Sequence, residues 1–253
     1  MGSRIKRLTI VGIVTGIGLS GVAAVATVAP GTPAKDVTSG LDNDNASNTF
    51  IQPPGVVAKQ HMDNTDVLFG RDNDDLLRGN LGSDVLVGGK GSDIMIGGPE
   101  NFTPVNSDVM LGDQGRDINI WAPGDGSDAF VGDKAHDTMI FAPFVTRPNG
   151  APKLERFQGR LVPRVDITDK PTFTCDLVRV PASENLGAQF LVRFEVNGVP
   201  AVTVRQKDVE RVLCPSPYPN KLALADLTVA HPSFRWVRVN HLHGDVGAIV
   251  ARP

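Results

Sequence analysis

Between residues 66 and 139 the large apolar residues return on a fixed beat. At the eight positions of that beat stand Leu68, Leu77, Leu86, Met95, Met110, Asn119, Phe130 and Met139, of which all but Asn119 are large and apolar. Four residues before each stand Asn64, Asn73, Gly82, Gly91, Asn106, Gly115, Gly126 and Ala135. All but Ala135 are Gly or Asn, which enter the left-handed backbone region at low cost. The pattern predicts tight turns joined by very short strands, each strand sending one side chain inward. A six-residue turn with a three-residue strand cannot bury anything alone. Stacked on its neighbours it buries a continuous ladder, so the expected element is a solenoid of stacked turns.

An acid marks the middle of every unit. Nine residues separate Asp66 from Asp75, Asp75 from Asp84 and Asp84 from Asp93, and the same spacing joins Asp108 to Asp117 and Asp128 to Asp137. Three units read GNLGSDVLV (79–87), GGKGSDIMI (88–96) and GDQGRDINI (112–120). A hard cation takes six or more oxygens, and loops rich in Asp and Gly offer both carboxylates and backbone carbonyls. Residues 61–141 resemble the hemolysin-type calcium-binding repeats of the RTX (repeats-in-toxin) family, pattern G-G-x-G-x-D-x-U-x with U large and apolar. The resemblance implies a parallel β-roll in which two nonapeptides form a coil and several Ca2+ ions lie between turns of consecutive coils. The metal ligands it implies are Asp66, Asp75, Asp84, Asp93, Asp108, Asp117, Asp128 and Asp137, with the turn glycines Gly88 and Gly112.

Two insertions break the period, six extra residues before Asp108 and the pair Trp121 and Ala122 before the turn that ends at Asp128. If alternate units share an edge, both insertions fall on the edge of Asp66, Asp84, Asp108 and Asp128. The regular edge then carries Asp75, Asp93, Asp117 and Asp137, with the better sites expected between successive members of that series. On the irregular edge only the Asp66/Asp84 pair looks intact. Asn119 in the apolar slot, Ala135 in the Gly slot and Pro123 where Gly is usual indicate a fading C-terminal end. The competing readings are a disordered acidic tract, which has no use for an apolar ladder, and a metal-free solenoid, which stacks Asp on Asp without counter-charge.

The overall charge of −3 hides an asymmetry. Residues 61–140 hold fifteen acids against five Lys or Arg, a balance of −10, whereas residues 141–253 hold ten against fifteen, a balance of +5. The basic half suits an acidic polymer, internal complementarity or ordinary solvated surface, and no Lys/Arg cluster is dense enough for nucleic acid. At the start, Arg4, Lys6 and Arg7 precede an uncharged apolar run from Leu8 to Ala29, with small residues at Ala24-Val25-Ala26 and Thr32-Pro33-Ala34. This predicts a signal peptide over 1–34 and a secreted product with no stable membrane insertion after cleavage, an uncleaved anchor being the alternative. Residues 35–60 read as a flexible linker. Extracellular modules commonly use weak, multiple calcium sites, which fits export. Cys175 and Cys214 either form one disulfide in an oxidising compartment or remain two buried thiols.

From Val145 onward the period disappears. Phe190, Val192, Phe194 and Val196 alternate with Leu191, Arg193 and Glu195, and Asn197-Gly198 then signals a hairpin into Val199–Arg205. Further strands are expected at 160–167, 173–180, 223–230, 234–239 and 248–251, and a short helix at 207–212. Residues 142–253 are therefore expected to form a small antiparallel β-sandwich or barrel of no recognised family, giving an all-β protein. No nucleophile elbow, zinc-protease motif or phosphate loop is present. On a strand, His241, His243 and Asp245 would face one way and could hold a transition metal, the alternative being a polar strand end. The function expected is a secreted calcium-binding protein that presents its C-terminal domain to a cell-surface or extracellular polymer or protein. The alternatives are a secreted hydrolase or polysaccharide-modifying enzyme with an accessory repeat module, and, last, a membrane-damaging toxin.

Overall fold

The structure, a computed structural model, describes residues 28–29, 37–39, 67–80, 83–98, 107–148, 152–157, 160–184 and 186–250. The charged start of the predicted targeting segment and Asp66 lie outside the described residues. Ten short strands come first: β1 (Val28–Ala29), β2 (Val37–Ser39), β3 (Val67–Asp72), β4 (Leu76–Arg78), β5 (Val85–Lys90), β6 (Ile94–Ile96), β7 (Val109–Gln114), β8 (Ile118–Trp121), β9 (Ala129–Val131) and β10 (Thr138–Phe141). Successive strands alternate between two parallel sheets, odd strands in one and even strands in the other. The protein is thus an all-β chain that begins as a parallel β-solenoid, as its nine-residue beat predicts.

Register explains the beat. In the first sheet Leu68 pairs with Leu86, Leu86 with Met110 and Met110 with Phe130. In the second, Leu77 pairs with Met95, Met95 with Asn119 and Asn119 with Met139. Every member of both ladders is buried, and all but Asn119 feed one apolar core between the sheets. Asn119 is fully buried with neither amide atom hydrogen-bonded, the one polar rung of these ladders.

Eight strands follow, of which the first two pair antiparallel as a sheet of their own and the other six continue the same two sheets. They are β11 (Leu154–Phe157), β12 (Arg160–Pro163), β13 (Phe173–Arg179), β14 (Phe190–Val196), β15 (Val199–Lys207), β16 (Arg211–Cys214), β17 (Lys221–Asp226) and β18 (Arg235–Arg238). Strand β15 adds to β9 in parallel and β16 adds to β10 in parallel, so the β15–β16 segment follows the path of one more coil. Beyond them β14 and β13 extend the first sheet antiparallel, and β17 and β18 extend the second. The expected hairpin is in place: Val196 faces Val199 across Asn197 and Gly198, both at positive φ, as the right-handed twist of a two-residue hairpin requires.

Cys175 on β13 and Cys214 on β16 form a disulfide with Cα atoms 6.3 Å apart, tying one sheet to the other. Trp121, Phe141, Phe173 and Phe194 pack together nearby, with Trp121 and Phe194 centroids 4.7 Å apart. Along β6, β8 and β10 the second sheet is buried on both faces. Its outer residues Ile94, Ile118, Ile120 and Ile140 are covered by Val162, Val165, Ile167, Val246 and Ile249 in a second core.

Five local expectations differ from the structure, the first being the strand expected at 160–167, which ends at Pro163. The helix expected at 207–212 is instead a bend followed by β16, because the open edge of β10 captures Arg211–Leu213 as a strand. The strand expected at 248–251 is replaced by a short helix, Gly244–Ile249, in which Val246 and Ile249 are three apart and both buried. The strand expected over 223–230 ends at Asp226, whose Oδ1 accepts bonds from the Thr228 amide and hydroxyl and so closes a turn. Val37–Ser39, within the stretch read as a linker, pairs with β4.

Candidate metal centre

Four turns stack along the edge that leads from odd to even strands, ending at Asp75, Asp93, Asp117 and Asp137. In each, the residues four and two before the acid have positive φ: Arg71 and Asn73, Gly89 and Gly91, Asp113 and Gly115, Asp133 and Ala135. A backbone that alternates hand in this way turns successive carbonyls toward a common point. The stacking is tight enough that a side chain at Gly115 would strike the carbonyl oxygen of Gly91. Glycine there is a matter of contact as well as of φ.

A hydrogen-bond ladder runs through the acids. The Asp75 amide donates to Asp93 Oδ1 (2.7 Å), the Asp93 amide to Asp117 Oδ1 (2.8 Å) and the Asp117 amide to Asp137 Oδ1 (2.8 Å). The next rung is different in kind: the Asp137 amide donates to Glu210 Oε2 at 2.6 Å. The second oxygen of each acid faces a glycine five residues earlier. A Cβ placed on Gly70 would lie 2.5 Å from Asp75 Oδ2 and 2.5 Å from the Gly88 carbonyl oxygen. On Gly88 it would lie 2.5 Å from Asp93 Oδ2 and 2.9 Å from the Gly112 oxygen, and on Gly112 2.5 Å from Asp117 Oδ2 and 2.8 Å from the Gly132 oxygen. Each missing side chain thus keeps a carboxylate oxygen of one coil and a carbonyl oxygen of the next around one small space.

This donor set fits a hard divalent cation. Asp117 and Asp137 are fully buried, and the Oδ2 of each has no hydrogen-bond partner. A buried carboxylate oxygen without a partner is costly unless a proton or a cation meets it. Desolvation pushes the Asp117 carboxyl up to about 8, against the Asp93 amide bond that lowers it and with help from the charges of Asp93, Asp137 and Asp113. Desolvation likewise lifts Asp137 to about 7. Among the described residues no three His, Cys, Asp or Glu side chains converge as a metal cluster. Each coil places one fully buried acid of the ladder on this edge, so a cation held between two coils draws further oxygens from the backbone.

On the other edge the ladder also runs on, the Asp84 amide donating to Asp108 Oδ1 (2.7 Å) and the Asp108 amide to Asp128 Oδ1 (3.0 Å). Gly79 and Gly97 keep the gap there, facing Asp84 Oδ2 and Asp108 Oδ2 respectively. One coil later the register Ile94–Ile118 and Met95–Asn119 brings Trp121 to the place of Gly97. Trp121 is buried, and its indole N–H donates to the Gly126 carbonyl at 3.0 Å. Asp125 is also buried there; its Oδ2 accepts from the Ala122 amide at 2.8 Å, and desolvation holds its carboxyl well above the usual range. Desolvation raises Asp128 to about 7.

Of the sequence-derived ligands, Asp75, Asp93, Asp117 and Asp137 share one edge, Asp84, Asp108 and Asp128 share the other, and Gly88 and Gly112 line gaps on the first. The gap glycines Gly70, Gly79 and Gly132, each five residues before its acid, were missed, as was Gly97, which the insertion sets eleven residues before Asp108. Glu210 was missed because it stands outside the period. His241 ends a 3-10 turn, His243 caps the short helix and Asp245 lies in its first turn, so the strand that would have aligned His241, His243 and Asp245 does not form.

Comparison with protein-family models matches residues 63–101 to the RTX calcium-binding nonapeptide repeat, four copies. No curated protein and no solved structure matches the chain.

Proposed function

We propose that this chain is an exported calcium-binding protein whose repeat region folds around Ca2+ and supports a C-terminal β-sandwich with a binding role at a cell surface or in the extracellular space. The observation that carries the reading is the pair of fully buried carboxylates, Asp117 and Asp137, each with an unpartnered Oδ2 beside a glycine gap. The ions belong between successive coils: Asp75/Asp93, Asp93/Asp117 and Asp117/Asp137 on one edge, and Asp66/Asp84 on the other. Calcium supplies positive charge to stacked acids that otherwise repel, so its binding free energy becomes folding free energy. Export is supported by the apolar run behind Arg4, Lys6 and Arg7 and by the Cys175–Cys214 disulfide, a bond that persists in oxidising compartments.

Far-UV circular dichroism of the calcium-stripped chain, titrated with CaCl2, tests the reading. A cooperative gain of β signal by millimolar calcium, blunted when Asp93→Ala and Asp117→Ala are combined, is expected. A chain already fully folded without calcium and indifferent to it would overturn the proposal.

A further inference from the structure

Past Asp137 the repeat is over, yet the pattern of contacts is not. Glu210 Oε2 accepts the Asp137 amide at 2.6 Å, the bond that Asp137 itself accepts from the Asp117 amide one coil earlier. The Arg211 amide donates to the Asp137 carbonyl at 3.1 Å, as the Thr138 amide does to the Asp117 carbonyl at 2.8 Å. Val212 pairs with Met139 as Met139 pairs with Asn119. Glu210 therefore occupies the acid position of a further coil, although nothing around it follows the nine-residue pattern.

The glycine gap continues as well. A Cβ on Gly132 would collide with Asp137 Oδ2 on one side and with the Asp208 carbonyl oxygen on the other. These stand as Asp117 Oδ2 and the Gly132 carbonyl stand around Gly112. Asp137 is fully buried and its Oδ2, aimed into this gap, has no hydrogen-bond partner. From Lys207, which pairs with Val131, two residues reach Glu210, whereas five lead from Val131 to Asp137. The shorter loop is matched by an acid one methylene longer. The Asp208 side chain is engaged elsewhere, its Oδ1 accepting from Gln189 Nε2 at 2.7 Å, while its main-chain carbonyl faces the gap.

We propose that Asp137, the carbonyl oxygen of Asp208 and Glu210 form an additional calcium site, one half supplied by the last repeat and the other by the β15–β16 turn of the C-terminal sandwich. This rests on the calcium reading of the roll and extends it to residues outside the repeat. Its consequence is coupling: calcium at this site joins the roll to the cap, so ordering of the repeats is transmitted into the strands that follow. The nearest competing charge is Arg211, whose guanidinium interacts with Glu210, Asp137 and Asp226 and is repelled by Arg116. If Arg211 alone neutralises the pair, no ion is needed.

The experiment compares the full chain with Glu210→Gln by equilibrium dialysis against 45Ca and by amide hydrogen exchange. Gln keeps an oxygen that can accept the Asp137 amide but removes the charge. The expected result is one calcium fewer per chain, with calcium-dependent protection lost over residues 199–214 and kept over residues 85–121. An unchanged stoichiometry and protection pattern, with calcium bound by the parent chain, overturns the cap site alone. A parent chain that binds no calcium overturns the reading of the roll and this site with it. Should E210Q fail to fold, Gly132→Ala fills the same gap from the other side, and loss of one calcium supports the site while an unchanged count rejects it.

Discussion

At the scale of single residues, the stacked acids govern how the chain responds to pH. In the calcium-free protein the carboxyls of Asp117 and Asp137 titrate near 8 and 7 because burial disfavours their charged form. Their folded-state values lie above the ordinary carboxylate range, so folding takes up protons. The stability they lend is fully present below about pH 4 and is lost as pH rises through 7 to 8. Calcium-free protein is therefore expected to melt at a higher temperature at pH 5 than at pH 8.5, and calcium to bind more tightly across the same rise as it displaces protons. Differential scanning fluorimetry in calcium-free buffer checks the first part; a melting temperature that climbs from pH 5 to pH 8.5 would contradict it. Two residues run against their surroundings. Ala135 holds φ 88 where its counterparts are Asn73, Gly91 and Gly115, and Asn119 buries an unpaired amide in an apolar ladder. Both stand out in the sequence as departures from a local pattern, and both departures carry a conformational or desolvation cost.

At the scale of the turn and strand, the proposed cation sites depend on the glycine gap opposite each acid. A Cβ on Gly112 would meet Asp117 Oδ2 and the Gly132 carbonyl oxygen first. Gly112→Ala puts a methyl group there and is expected to remove one calcium and to flatten the dichroism titration, although no charge has changed. Isothermal titration calorimetry gives the count; an unaltered stoichiometry would show that the cation sits elsewhere in the turn. The beat of acids and apolar residues was legible because turn geometry and strand alternation are properties of adjacent residues. So was the Asn197-Gly198 hairpin, whose two positive-φ residues announce its type. The strand β16 was not legible. Arg211–Cys214 is short and flanked by Glu210 and Pro215, and it is a strand because β10 offers it an edge from far away in the chain. The helix Gly244–Ile249 was lost for a related reason, since four apolar residues near a chain end suit a strand or one helical turn equally well until a second core selects between them.

At the scale of the whole molecule, a single apolar core runs from Leu68 through Met110, Phe130 and Phe194 to Ala225, so the roll and the antiparallel strands share one interior. That continuity could not be read from the sequence, which changes its period near Val145 and so looks like two independent parts. It depends on the parallel pairing of β9 with β15 and of β10 with β16, long-range registers that no local pattern encodes. The Cys175–Cys214 bond closes the far end of this core across both sheets with a sequence separation of 39. A loop of that length is worth roughly 4 kcal/mol in the chain-entropy account. For a chain of this size that corresponds to about 10 °C in melting temperature. With calcium saturating, reduction is therefore expected to lower one cooperative calorimetric transition by about that amount without splitting it. Calcium should still produce its gain of β signal in the reduced protein, because the proposed ligands of the roll, Asp66 to Asp137, lie outside the disulfide loop and only Asp208 and Glu210 of the cap site lie within it. Two separate transitions, only one of them sensitive to reductant, would mean that the shared core does not couple the roll to its cap.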